Sequence, residues 1–169
     1  GPRTNTRRKV AYSESADLVH WSEVQSIVLP DELDEDDLYG MTVFRYADYY
    51  LGQLERHDDN RTEKIDIELL WSRDGFHWSR HPQRPAYISP SDRGYMILPA
   101  PGPVAHGADM STYYCEYDGP HDSTERDMRA YVAKLRLDGF YSLSTDRRLG
   151  GVLTRPFTMQ SPSIAINAR

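Results

Sequence analysis

A heptapeptide pattern that occurs twice constrains the fold of this chain more than any other feature. Ser15-Ala16-Asp17-Leu18-Val19-His20-Trp21 and Ser72-Arg73-Asp74-Gly75-Phe76-His77-Trp78 both read Ser-x-Asp-x-x-His-Trp, with the two tryptophans 57 positions apart. A weaker third copy, Asp138-Gly139-Phe140-Tyr141, begins 64 positions after Asp74. Self-similarity at a fixed period of this length marks an architecture of repeated supersecondary units. The pattern has the chemistry of a tight hairpin: Asp accepts hydrogen bonds from nearby backbone N–H groups, Gly tolerates positive φ, and the following aromatics pack back onto the sheet. A turn-capping role accounts for Asp17, Asp74 and Asp138, so none of them is assigned to catalysis.

The stretches around these hairpins have the period of strands. Ile65-Asp66-Ile67-Glu68-Leu69 alternates apolar and polar residues, as a strand with one buried face should. Thr42 to Tyr46, a turn at Ala47-Asp48, and Tyr49 to Leu54 give two more strands. The next unit repeats the order, with Gly102 to Ala105, a turn at His106 to Asp109, Met110 to Glu116, and Arg129 to Arg136. Helical periodicity is hard to find, and Tyr131 to Leu135 also fits a strand. The expectation is an all-β chain with four antiparallel strands per unit, the pattern of β-propeller blades, each of which buries its sheet face against a neighbour. The blade units fall at about residues 7–28, 39–83 and 95–145, and the first has room only for its last two strands. Propellers close with about four to eight blades. The chain therefore reads as part of one, with truncation of a longer protein favoured over packing against another copy.

Composition narrows the function classes. With 38% hydrophobic and 27% charged residues, the 169-residue chain is large enough to bury a core. Its net charge of −6, with Arg and Lys scattered among acids, argues against nucleic-acid binding. No apolar run approaches the roughly 20 residues of a membrane span, and the first residues lack a secretory profile. Gly1-Pro2 reads as a protease-cleavage scar, so residues 1–6 are set aside as scar and linker. The single cysteine, Cys115, excludes an internal disulfide and a thiolate metal site, and its place beside Tyr113 and Tyr114 is that of a packed thiol in a strand.

Several segments together resemble a known group. These are Ser15 to Trp21, Leu38-Tyr39-Gly40-Met41, Pro103 to Asp118 with its paired tyrosines, and Arg136 to Leu143. They are similar to the five-bladed propeller proteins grouped with glycoside hydrolase families 32 and 43, and the resemblance spans residues 8 to 169. In such proteins a run like Gly151 to Phe157 leads out of the propeller, which would make 158–169 a closing segment, with Ser163 to Arg169 the first strand of a small β-sandwich. The hairpin also resembles the Asp-box of sialidases, Ser-x-Asp-x-Gly-x-Thr-Trp, but is one residue shorter. The enzymes of families 32 and 43 take an Asp nucleophile or base from the first blade, which has no counterpart here. No catalytic residue is carried over from them.

Propeller geometry indicates where a site would lie: around the axis, on the face from which the inner strands start. Glu35, Asp36, Asp37 and Tyr39 precede one inner strand, and Asp92, Arg93 and Tyr95 the next. The loops Glu55 to Asp59 and Glu116 to Asp122 open to the same side. Glycoside hydrolysis uses two carboxyl groups, one protonated and one ionised, roughly 5 to 10 Å apart across the bond. Asp37 and Asp118 are the candidate catalytic pair; Tyr39, Arg93, Tyr95, His121 and His57 are the candidate substrate-binding residues, with Tyr rings as stacking surfaces. Acidic loops are also ordinary solvated surface. His57-Asp58-Asp59 and His121-Asp122 contain metal-ligand residue types at a spacing that matches no defined motif, so no metal and no cofactor is assigned. The expectation is a glycoside hydrolase-like protein that acts on or binds an oligosaccharide. The alternatives are a non-catalytic glycan- or protein-binding module and a chain that self-associates through exposed blade faces.

Overall fold

Period-two alternation sends successive side chains to opposite faces of a strand, and the fold is built from that alternation. A computed structural model describes residues 7–34, 37–58, 61–145, 149–159, 161–164 and 166. Among the described residues every regular element is a strand and none is a helix. The strands are β1 (Val10–Tyr12), β2 (Gln25–Val28), β3 (Asp37–Tyr46), β4 (Tyr49–Asp58), β5 (Lys64–Ser72), β6 (Trp78–Ser79), β7 (Ala86–Ile88), β8 (Met96–Pro99), β9 (Val104–His106), β10 (Asp109–Tyr117) and β11 (Met128–Arg136).

All of these strands belong to the compact unit that ends at Leu137. β1 and β2 form a two-stranded antiparallel sheet. The remaining strands form a strongly curled half-barrel whose main path, β11-β10-β8-β5-β4-β3, has 6 strands. Within it β3, β4 and β5 make an antiparallel meander, and β6 and β7 share the far edge of β5. β10 pairs with β11 on one side and with β8 and β9 on the other. The two halves join where Ile65 of β5 lies opposite Met96 of β8 in a parallel bridge.

A β-bulge at Tyr39 sets the faces of the first meander. Leu38 lies opposite Arg56 while Gly40 lies opposite Glu55, so Tyr39 is an extra residue on its strand. Leu38 and Met41 thereby reach the same face and pack with Val28, Leu54, Leu70 and Trp78 under the β1-β2 sheet. The opposite face carries Ile67, which packs with Ile88, Ile97, Tyr87 and Tyr114 from the second half. The β3-β5 meander is therefore sandwiched between its neighbours in sequence, each face buried against a different one.

Both hairpin motifs fold alike. Asp17 Oδ1 accepts from the amides of Val19 and His20 at 2.9 and 2.8 Å, and Asp74 Oδ1 accepts from Phe76 and His77 at the same distances. His20 Nδ1 and His77 Nδ1 each lie 2.7 Å from the second oxygen of their Asp. Leu18 (φ +62°) stands where Gly75 (φ +82°) stands in the second copy, so the left-handed turn is kept without glycine. Trp78 Nε1 donates to Gly75 O at 2.9 Å, and its ring packs on Gly52.

The all-β expectation and the strand positions around both motifs hold, and the described strands form one curled sheet and one two-stranded sheet. The fourth strand of the first meander is interrupted between Ser79 and Ala86, where Arg80 and Arg84 turn toward Glu68. β8 and β9 form one strand broken at Ala100 to Pro103, with Gly102 (φ +74°) against Phe44. The third copy, Asp138 to Tyr141, begins the second compact unit as a turn, and no strand follows it among the described residues. Residues 161–164 and 166 carry no strand, and the rest of the expected sandwich strand lies outside the described residues.

Candidate functional site

The bulge at Tyr39 matters for the site because it re-aims a side chain at the end of β3. The Tyr39 hydroxyl shares a 2.7 Å hydrogen bond with His121 Nε2, in the loop after β10. His121 Nδ1 lies 2.9 Å from Asp122 Oδ1. The Tyr39 ring meets His57 edge-on at 5.9 Å, His57 lies 5.7 Å from the His121 ring, and the Arg8 guanidinium covers the outer side of Tyr39 at 4.9 Å. Asp37, directly opposite His57 in the ladder, accepts Arg8 N at 2.7 Å. Four candidates thus converge at one end of the β3-β4 ladder: Asp37, Tyr39, His57 and His121.

A cleft of about 520 Å³ opens at two of them, Asp37 and His57, its wall also including Arg56, Asp58, Arg61 and Lys64. Asp34, Asp37, Asp58 and Asp66 share its wall with Arg56, Arg61, Lys64 and Arg84, so it does not carry the one-signed field that selects a strongly charged ligand.

The other candidates lie elsewhere. Arg93 and Asp118 line a smaller cleft of about 260 Å³ with Asp92, Glu116, Arg129 and Tyr131. Asp118 Oδ1 accepts Asp127 N at 2.8 Å, which closes the loop between β10 and β11. Asp37 and Asp118 therefore line different clefts. Tyr95 lies under the Lys64 ammonium, 5.8 Å from ring centre to nitrogen, and its backbone carbonyl accepts Ile65 N at 2.7 Å. Glu35, Asp36 and Asp59 lie outside the described residues. Among the described residues no group of three or more His, Cys, Asp or Glu is placed to hold a metal ion.

No protein-family model, curated protein or solved structure matches this chain.

What the site can do then follows from the chemistry of its own side chains. Gln53, Glu55 and His57 occupy alternate positions of β4 on the face turned toward the second half, and all three are buried. Burial raises the Glu55 carboxyl above its ordinary value. β4 runs through Asp58, so Glu55 to Asp58 are strand and not the loop expected from the sequence, and the second half stacked on this face makes Gln53, Glu55 and His57 interior.

The polar residues on the opposite face have a structural explanation. Arg80 binds Asp34 through two nitrogens at 2.6 and 2.7 Å and Glu68 at 2.6 and 3.0 Å, with Arg56 pairing Asp66 at 2.7 and 2.8 Å beside them. Burial pushes the Asp34 carboxyl up, but the Arg80 hydrogen bond and the Asp31 amide overcome it, and the net shift is downward. Arg84 joins the cluster through Asp31. Arg80, Asp34, Glu68, Arg56 and Asp66 pair with one another, which is the arrangement of a strut between β5 and the loops after β2 and β6.

Proposed function

We propose that this chain binds an oligosaccharide at the end of the β3-β4 ladder, as part of a glycoside hydrolase-like β-propeller. The observation that supports this most is the convergence of Tyr39, His57, His121 and Asp37 beside a cleft with no dominant charge. Neutral polyols are recognised by aromatic faces and by planar groups that donate and accept hydrogen bonds, and this cluster offers both. The propeller reading is supported by the two matching hairpins and by the stacking of the β3-β5 meander between its neighbours.

Separation of Asp37 and Asp118 into different clefts favours recognition over catalysis by that particular pair. A glycan array probed with wild type, Tyr39→Ala and His121→Ala tests the reading. Binding to neutral oligosaccharides is expected, weakened about tenfold or more in either variant, since each removes a hydrogen bond and its contact area. Wild type that binds no glycan and cleaves no aryl glycoside would sink it.

Self-association is a further part of the proposal. It is supported by the outer strand β11, where Met128, Val132 and Tyr131 are exposed. Light scattering that gives a monomer at all concentrations would remove this part.

A further inference from the structure

A strand at the edge of a sheet offers a row of unpaired N–H and C=O groups that another strand can bond. In this fold the strand before each hairpin turn gains such a partner from the chain that follows: β2 pairs with β1, and β6 and β7 pair with β5, all antiparallel. β11 precedes the third turn, yet among the described residues it pairs with β10 alone. Its nine residues run in unbroken register with β10 and contain no proline, and Met128, Tyr131 and Val132 are exposed. The charge of this edge has one sign. Arg129, Lys134 and Arg136 lie on β11, no acid does, and none of the three has an ion-pair partner among the described residues. A second β11 set against it would bring two sets of three cations together, which like-charge pairing disfavours. The opposite charge is carried elsewhere: Val10 to Phe44 contains nine acids and no Lys or Arg. β2 runs through this tract, and among the described residues it pairs only with β1, which leaves its other edge open. Glu23 and Glu32 flank it without an ion-pair partner among the described residues, and Val24 and Leu29 beside its two ends are exposed.

We propose that β11 of one copy receives β2 of a second copy as an added antiparallel strand. This rests on the self-association reading above and names the two strands that meet. Antiparallel alignment turns Glu23 toward the end of β11 that carries Lys134 and Arg136, and Glu32 toward the end that carries Arg129. Val24 and Leu29 then lie along the exposed apolar residues of β11. Each copy carries both strands, so a two-fold pair contains the contact twice. Backbone hydrogen bonds and apolar contact supply most of the attraction, since exposed ion pairs are individually weak. The charges select the acidic strand over a second β11.

Sedimentation velocity over a dilution series tests the pairing with wild type, Arg129→Glu/Lys134→Glu and Glu23→Lys/Glu32→Lys. Wild type should associate, and more weakly as salt is raised. Each double variant sets like charges across the contact and should weaken association about tenfold or more. All four positions are exposed, so both variants should keep the wild-type unfolding midpoint. An equimolar mixture of the two variants should recover wild-type association. In the mixture the reversed β11 of one variant meets the reversed β2 of the other, and the two unreversed strands also match in charge. Variants that associate as wild type does, or a mixture that stays monomeric while wild type associates, would overturn the proposal and leave self-association intact. A wild type that is monomeric at every concentration would instead remove the self-association reading, and this pairing with it.

Discussion

Tyr39 Oη and His121 Nε2 lie 2.7 Å apart and join the start of β3 to the loop after β10, across 82 residues of chain. Neither side chain belongs to an apolar core cluster, so the bond positions the loop more than it supports the fold. Tyr39→Phe should cost about 1 kcal/mol or less of global stability by urea unfolding. Hydrogen exchange at Ser123, whose amide bonds Pro120 O at 3.0 Å, should quicken while exchange at Leu54 and Leu70 stays unchanged.

The hairpin carboxylates make stability depend on pH. The His20 and His77 side chains, followed by the neighbouring backbone amides, hold Asp17 and Asp74 well below the usual carboxylate range. A carboxyl whose folded pKa is depressed contributes stability above its unfolded value of about 3.9, and that contribution is lost as pH falls through the folded value. An Asp17→Asn/Asp74→Asn variant should therefore be less stable than wild type at pH 7, and the gap should close as the pH is lowered below about 4. Chemical denaturation at both pH values measures it; a gap that is constant with pH would show that the carboxylate charge is irrelevant to the turns.

Arg80 is 9% exposed at its side chain, between Asp34 at 4% and Glu68 at 1%. Removing one partner of such a cluster strands the others in a poor solvent. Arg80→Met should cost about 3 to 5 kcal/mol, and adding Glu68→Leu should recover part of that loss. A double-mutant cycle by urea unfolding reads the coupling.

Gly52 has no room for a side chain: an added Cβ would lie 2.8 Å from Met41 Sδ and 2.9 Å from the Trp78 ring. Gly52→Ala should destabilise by about 1 to 3 kcal/mol through overpacking. Adding Met41→Ala, which makes space, should lessen the further cost of the glycine change. Thermal unfolding of the four forms tests this.

Sequence legibility followed local chemistry. The Ser-x-Asp-x-x-His-Trp turns are decided within seven residues by their own hydrogen bonds, so their geometry was readable at both Asp17 and Asp74. Alternation placed β5 for the same reason. The meeting of Tyr39, His57 and His121 followed from the order of strands. What escaped was set by contacts distant in sequence. Glu55 to Asp59 reads as a loop, whereas β4 continues through Asp58 and the second half covers Glu55, and the Arg80 cluster depends on Asp34, 46 residues away. The bulge at Tyr39 and the β5-β8 bridge at Ile65 and Met96 alter pairing without leaving a composition signal. The segregation of Asp118 from Asp37 depends on how the loop between β10 and β11 folds back on Asp127.

Amide chemical-shift mapping during titration with a panel of neutral tetrasaccharides shows whether sugar binds at the end of the β3-β4 ladder. Shifts clustered at Asp37 to Gly40, Gln53 to His57 and His121, weakened in Tyr39→Ala, are expected. Shifts confined to the hairpin tips at Asp17 to His20 and Asp74 to His77, or none with any sugar, would contradict it.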